Sequence, residues 1–269
     1  MVNQLKHPPL IEALMEIKWE LQKKGPDTFI DPGYKLANGR LYDRIKDKFS
    51  YIEQLPIENI NFPEELTTYS VRTQFRAKKN AWPLVQFGPG IASINFSSPY
   101  SWDNFKGKVE FVIPQLLDSY KGIGQDGKDI PLKIKSGLLR FINAQDFNWE
   151  NENILEYIES NLHTRIELPK GISDSESIIK LPNNVVMQIG YLISKPEGQV
   201  FIRISTGLVG QIKKIIWELL FISKDNYAPQ LDNMNEFIQW LTEAHEIIEK
   251  CFFSLIDGAL LKKYQGDWL

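Results

Sequence analysis

The stretch Leu10-Ile11-Glu12-Ala13-Leu14-Met15-Glu16-Ile17-Lys18-Trp19-Glu20-Leu21 alternates. Ile11, Ala13, Met15, Ile17, Trp19 and Leu21 are apolar, whereas Glu12, Glu16, Lys18 and Glu20 dominate the positions between them. Side chains leave an extended strand alternately to its two faces, so a period of two predicts a strand buried on one side. Leu14 breaks the polar side. A chain that opens on a half-buried strand needs neighbouring strands and a covering layer, and the downstream sequence supplies both.

Working outward, turns at Gly25-Pro26-Asp27 and Asp31-Pro32-Gly33 lead to Leu41, Ile45 and Phe49, whose spacing of four predicts a short helix. Three strands are expected next: Tyr69 to Arg76, with Tyr69, Val71, Thr73 and Phe75 on one face, then Trp82 to Phe87 and Ile91 to Phe96, a hairpin across Gly88-Pro89-Gly90. Trp102, Phe105, Val109, Val112 and Leu116 mark a helix that runs out near Tyr120. The glycine-rich segment Gly122 to Pro131 then divides the chain, and the same order of elements recurs. A strand from Ile134 to Asn143 precedes a helix carrying Ile154, Leu155 and Ile158, and strands follow at Val185 to Ile193, Val200 to Thr206 and Ile215 to Ser223. Segment 213–223 also suits a helix, but Ile215, Trp217, Leu219 and Phe221 alternate, which favours a strand. Last, Phe237, Trp240, Leu241, Ala244, Ile248, Cys251, Phe252, Leu255 and Ala259 step by threes and fours along one long amphipathic helix.

The expected fold is therefore α+β: two β-α-β-β-β-α units, 1–124 and 125–269, with antiparallel sheet covered by helices and the two units forming one globule. Internal duplication is the natural hypothesis for such an order.

Composition narrows the function classes. At 43% hydrophobic and 24% charged residues, 269 residues can bury a sizeable core. Thirty-four acidic against 31 basic side chains leave a net charge of −3, and the lysine pairs are scattered, so nucleic acid is not an expected partner. The one cysteine, Cys251, cannot form an intramolecular disulfide and sits in an apolar helical stripe. No apolar stretch approaches the ~20 residues of a membrane span, and Met1 to Pro9 has no apolar leader core. A cytoplasmic protein is expected, with no membrane partner.

Chemical motifs are few. Gly122-Ile123-Gly124-Gln125-Asp126-Gly127 fits a phosphate-binding glycine pattern, but such a loop needs a strand before it and a helix after it, and here a helix precedes. His7, His163 and His245 lie too far apart for a metal site, and no Gly-x-Ser-x-Gly elbow occurs. Cys251 has only Lys250 to activate it. No catalytic residue, metal or cofactor is assigned, and the balance leans away from an enzyme. Binding residues are expected instead. Arg72 and Arg76 project from one strand, and Arg140 and Arg203 from strands of the other half, where they suit an anion or an acidic partner. They equally suit cross-strand pairs with Glu12, Glu16 or Glu218. Trp82, Tyr100 and Trp102 form either an exposed aromatic patch or core packing. His245, between Leu241 and Ile248, suits a half-buried imidazole bonded to backbone or to a carboxylate, or an acid–base role with Glu246 and Glu249.

Four stretches, in order, resemble a sporadically distributed family of bacterial and archaeal proteins that has no established activity. They are Pro8-Pro9-Leu10-Ile11-Glu12-Ala13, then Trp82-Pro83-Leu84-Val85-Gln86-Phe87-Gly88-Pro89 with Tyr100-Ser101-Trp102, then Leu139-Arg140-Phe141-Ile142-Asn143, and finally Ala244-His245 with Phe252. Patchy distribution of that kind is found among genes of toxin–antitoxin pairs and antiviral (phage) defence loci. The expected function is a non-enzymatic protein-binding component, a partner or immunity protein of such a system. Its partner would be another protein encoded nearby, or a second copy of itself. The alternative is a sensor for a nucleotide or acidic metabolite, with a pocket between sheet and last helix lined by Arg72, Arg140 or Arg203.

Overall fold

The alternating stretch at 10–21 becomes β1 (Leu10–Trp19), the middle strand of a nine-stranded antiparallel sheet. The computed structural model describes residues 5–26, 28–56, 68–124, 127–169, 171, 182–224, 231 and 233–266. After β1 come a two-stranded ribbon, β2 (Gln22–Lys23) with β3 (Phe29–Ile30), and helix α1 (Tyr34–Ile45). Strands β4 (Tyr51–Gln54), β5 (Thr73–Arg76), β6 (Leu84–Gly88) and β7 (Ile91–Phe96) lead into α2 (Trp102–Ser119). The second half holds β8 (Ile134–Gln145), α3 (Ile154–Leu162), β9 (Val186–Ser194), β10 (Glu197–Val209), β11 (Ile212–Ser223), α4 (Met234–Ile256) and α5 (Ala259–Gln265). The sheet order is β4-β5-β6-β7-β1-β8-β11-β10-β9, so on either side of the β1–β8 junction the strands run outward in reverse chain order. The fold is α+β. Relative to the expected order, the first half adds the β2–β3 ribbon and β4.

Register explains the burial. Met15 of β1 lies opposite Ile94 of β7 on one side and Leu139 of β8 on the other. Ala13, Met15, Ile17 and Trp19 are all buried against the helices, while Glu12, Leu14, Glu16 and Lys18 turn to the opposite face. Helices α1 and α2 pack together over the first half, and α4 lies across β8 and β11. A Cβ on Gly137 would come within 2.7 Å of the Trp240 ring, so a glycine in β8 is what lets α4 approach. The buried apolar residues of both halves belong to one continuous cluster.

Polar groups fasten the first half at Asp31. Its Oδ2 accepts from Trp19 Nε1 at 3.1 Å, Tyr120 Oη at 2.8 Å and Gly90 N at 3.1 Å, and its Oδ1 accepts from Gly33 N at 3.1 Å. On the face away from the helices, Asn95 Nδ2 donates to Glu12 Oε1 at 2.7 Å, and the Ser93 hydroxyl is within reach of Asn95 and Gln86. These bonds let β7 be buried on both faces although it carries Ser93 and Asn95.

Several expectations need correction. The strand expected from Tyr69 begins only at Thr73, because Tyr69 has φ 59° and the chain turns there. The last helical stripe does not run unbroken to Ala259. It starts where the Asn233 side chain accepts from Glu236 N at 3.3 Å, and it stops at Asp257-Gly258, with Gly258 at φ 96°, before α5 begins. Segment 212–223, by contrast, is a strand paired throughout with β10, as the alternation of Ile215, Trp217, Leu219 and Phe221 predicts. In the glycine-rich segment, Gly124 N donates to Lys128 O at 2.7 Å and Gly122 N to Asp129 Oδ1 at 2.8 Å. Gln125 and Asp126 lie outside the described residues, and the next element is β8, not a helix. No helix among the described residues is long and apolar enough to cross a membrane.

Candidate functional site

Alternation in β8 sends Leu139, Phe141 and Asn143 toward the helices and Arg140 and Ile142 away from them. On α4, His245, Ile248, Glu249 and Phe252 are three and four residues apart and share one helix face. The Ser101 side chain accepts from Asn104 N at 3.4 Å and starts α2, which makes Trp102 its first residue. These three surfaces, with Leu5, Pro8, Pro9 and Leu10, line a half-open cavity of about 360 Å³. That volume lies within the ~300–1,000 Å³ range of small-molecule sites.

The cavity walls are aromatic. The His245 imidazole stacks on the Trp102 indole with ring centroids 3.8 Å apart and planes at 14°. Phe141 lies 5.8 Å from the same imidazole, and Tyr100 meets Phe141 edge-on at 5.6 Å. Phe252 and Phe253 complete the apolar lining. Set into this wall are polar groups with little to bond. The Tyr100 hydroxyl is out of reach of water and has no hydrogen-bond partner among the described residues. His245 is 8% exposed, its ring held by the stack on Trp102. Asn143, 2% exposed, donates only a long 3.5 Å bond to Trp217 O.

Burial sets the protonation states. It pushes the His245 imidazole down to about 4, so the ring is neutral near pH 7, with one nitrogen able to donate and one to accept. The Tyr100 hydroxyl is pushed up by burial and by the Glu249 carboxylate, so it stays a donor. Cys251 is half-buried, and burial raises its thiol while Lys250 opposes that only in part.

The eight residues expected from sequence fall in four places. Tyr100, Trp102 and His245 come together at the cavity. Arg140 and Arg203 meet at Glu218 on the opposite sheet face: Arg140 Nε donates to Glu218 Oε2 at 2.8 Å with a second contact from Nη2, and Arg203 Nη1 lies 3.9 Å from Oε1. Arg76 donates to Ala81 O and to Gln74 Oε1, both at 2.9 Å, and its guanidinium lies 5.7 Å from the exposed Trp82 ring. Buried Arg72 precedes β5, its backbone bonded to Phe87 and Leu55. None of the arginines lines the cavity, so a pocket between sheet and last helix exists without the cationic lining expected for it. Glu12 and Glu16 pair with Asn95 and Lys18, not with Arg72 or Arg76. The bond to backbone or carboxylate expected for His245 is replaced by its stack on Trp102. His163 caps α3 at φ 46°, its Nε2 2.6 Å from Asp257 O, and no group of three or more metal-ligating side chains occurs among the described residues.

Glu249, expected beside His245, lines the cavity, whereas Asn143, Asp103 and Phe253 are not expected from sequence as site residues. Asn143 carried a usable signal, since it shares the parity of Leu139 and Phe141. All four stretches that carry the family resemblance contribute to this one cavity, through Pro8 to Leu10, Tyr100 to Trp102, Phe141 with Asn143, and His245 with Phe252. No protein-family model, curated protein or solved structure matches the chain.

Proposed function

We propose that the protein is a non-enzymatic binding protein that takes a small organic molecule into the cavity between the sheet and α4. The observation that carries this reading is a cavity of small-molecule size, mostly apolar and aromatic, with a few polar side chains, His245, Asn143 and Glu249 among them, in its wall. A ligand that fills the space buries apolar surface and finds polar groups to orient it. Binding is favoured over catalysis because the described cavity residues include no nucleophile hydrogen-bonded to a base.

A thermal-shift screen of the full chain against aromatic and heteroaromatic fragments tests the reading. A ligand at about 100 times its dissociation constant stabilises the native state by ~2.7 kcal/mol, enough to raise the melting temperature measurably. The gain is expected to vanish in Trp102→Leu and His245→Leu. If no fragment stabilises the protein, or if these substitutions leave every gain intact, the cavity is not the site.

A second reading, as a partner or immunity protein of a defence or toxin–antitoxin system, is supported by β9. This strand ends the sheet, has no charged residue over nine positions, and exposes Val186, Ile189, Tyr191 and Leu192. Its outer backbone edge, which pairs with no strand among the described residues, suits addition of an extended, uncharged, apolar segment from another protein.

A further inference from the structure

We propose that the ligand of this cavity is an organic cation, a small amine or quaternary ammonium compound with an aromatic or otherwise apolar body. The proposal rests on reading the cavity as a ligand site and adds the charge of what enters it.

The only charged side chains among the described lining residues are the carboxylates of Asp103 and Glu249; no lysine or arginine is among them. An anionic head would meet two like charges and no counter-charge among the described lining residues. The amino end of α2, which attracts anions, stands at the same rim, but the Ser101 side chain already bonds there and Asp103 occupies its first turn. The aromatic faces add to the selection. Tyr100, Phe141, Phe252 and Phe253 line the same space, while the Trp102 indole is covered by His245 and Phe105, and a cation within about 6 Å of an aromatic ring face is attracted to it. His245 might have supplied a competing positive charge, but its stack on Trp102 and its burial keep the ring uncharged at neutral pH. Its unprotonated nitrogen accepts from the N–H of a protonated amine, a bond that a quaternary ammonium forgoes.

Three indoles that share a ring and differ at the head supply the test: tryptamine (cationic), tryptophol (neutral) and indole-3-acetate (anionic), each titrated calorimetrically into the full-length protein near pH 7. Tryptamine is expected to bind about ten-fold more tightly than tryptophol, a difference of ~1.4 kcal/mol, and indole-3-acetate more weakly than both. Glu249→Gln should cut tryptamine affinity by about ten-fold and leave tryptophol within about two-fold. Asp103→Asn, at an exposed position, is the second variant should Glu249→Gln fail to fold. Equal affinity for all three heads, or preference for the anion, overturns the cation assignment and leaves the cavity as a ligand site. If none of the three binds, both readings fall.

Discussion

His245 shows how a residue's surroundings fix its chemistry. The side chains that face it are Trp102 and Phe141, with Tyr100 and the carboxylate of Asp103 from the α2 end of the cavity and that of Glu249 from its own helix. Burial holds the folded-state imidazole at about 4, against 6.5 when unfolded. Between those values the unfolded chain binds the extra proton, so stability rises with pH there. The contribution is fully present above about pH 6.5 and is lost as pH falls toward about 4, up to ~3 kcal/mol in all. Urea unfolding at about pH 7.5 and about pH 4.5 should therefore show a larger drop for the wild type than for His245→Phe, by ~2–3 kcal/mol. Equal drops would mean that the ring protonates as readily in the folded protein as outside it. Sequence located His245 at the edge of an apolar stripe, but not its neighbour. Periodicity reports which face of an element is buried, whereas Trp102 reaches His245 from a separate helix far back in the chain.

The elements most legible in the sequence are those buried on one face only. Strand β1 and strand β11 alternate because one side meets helices and the other does not. Strand β4 was missed for the opposite reason: its four residues alternate only between exposed and half-buried, with no fully buried side to mark a period. The break between α4 and α5 was also missed, since Ala259 continues the spacing of the stripe across Gly258. The two edges of the sheet differ in kind. Strand β4 is short and carries Glu53, whereas β9 is nine residues long and uncharged, with Leu192 82% exposed. Natural sheets guard free edges with charge, above all lysine. The double substitution Ile189→Lys and Leu192→Lys should abolish association of the protein with a partner encoded nearby, scored by co-elution, while changing stability by less than about 1 kcal/mol. Co-elution that survives the double substitution would place the contact elsewhere, and loss of self-association in sedimentation would identify the occupant as a second copy.

At the scale of the molecule, the α+β class and the helix-covered antiparallel sheet were readable from local patterns, but the joining of the halves was not, because strand neighbours far apart in sequence leave no local signal. Strand β1 pairs with β8 from Leu10 opposite Asn143 to Trp19 opposite Ile134, and one apolar cluster crosses this ladder. Fragments 1–124 and 125–269, made separately, are each expected to lack a cooperative unfolding transition and to recover one when coexpressed and copurified. A fragment 1–124 that melts cooperatively as a monomer would show the ladder to be dispensable. The central place of β1 also bears on synthesis. One edge of this strand waits for a partner that emerges from the ribosome about 120 residues later, on the order of ten seconds at ~5–20 residues per second. Through that interval the nascent chain presents a long, half-apolar edge, which makes it a client for chaperones that hold extended segments until translation reaches residue 145.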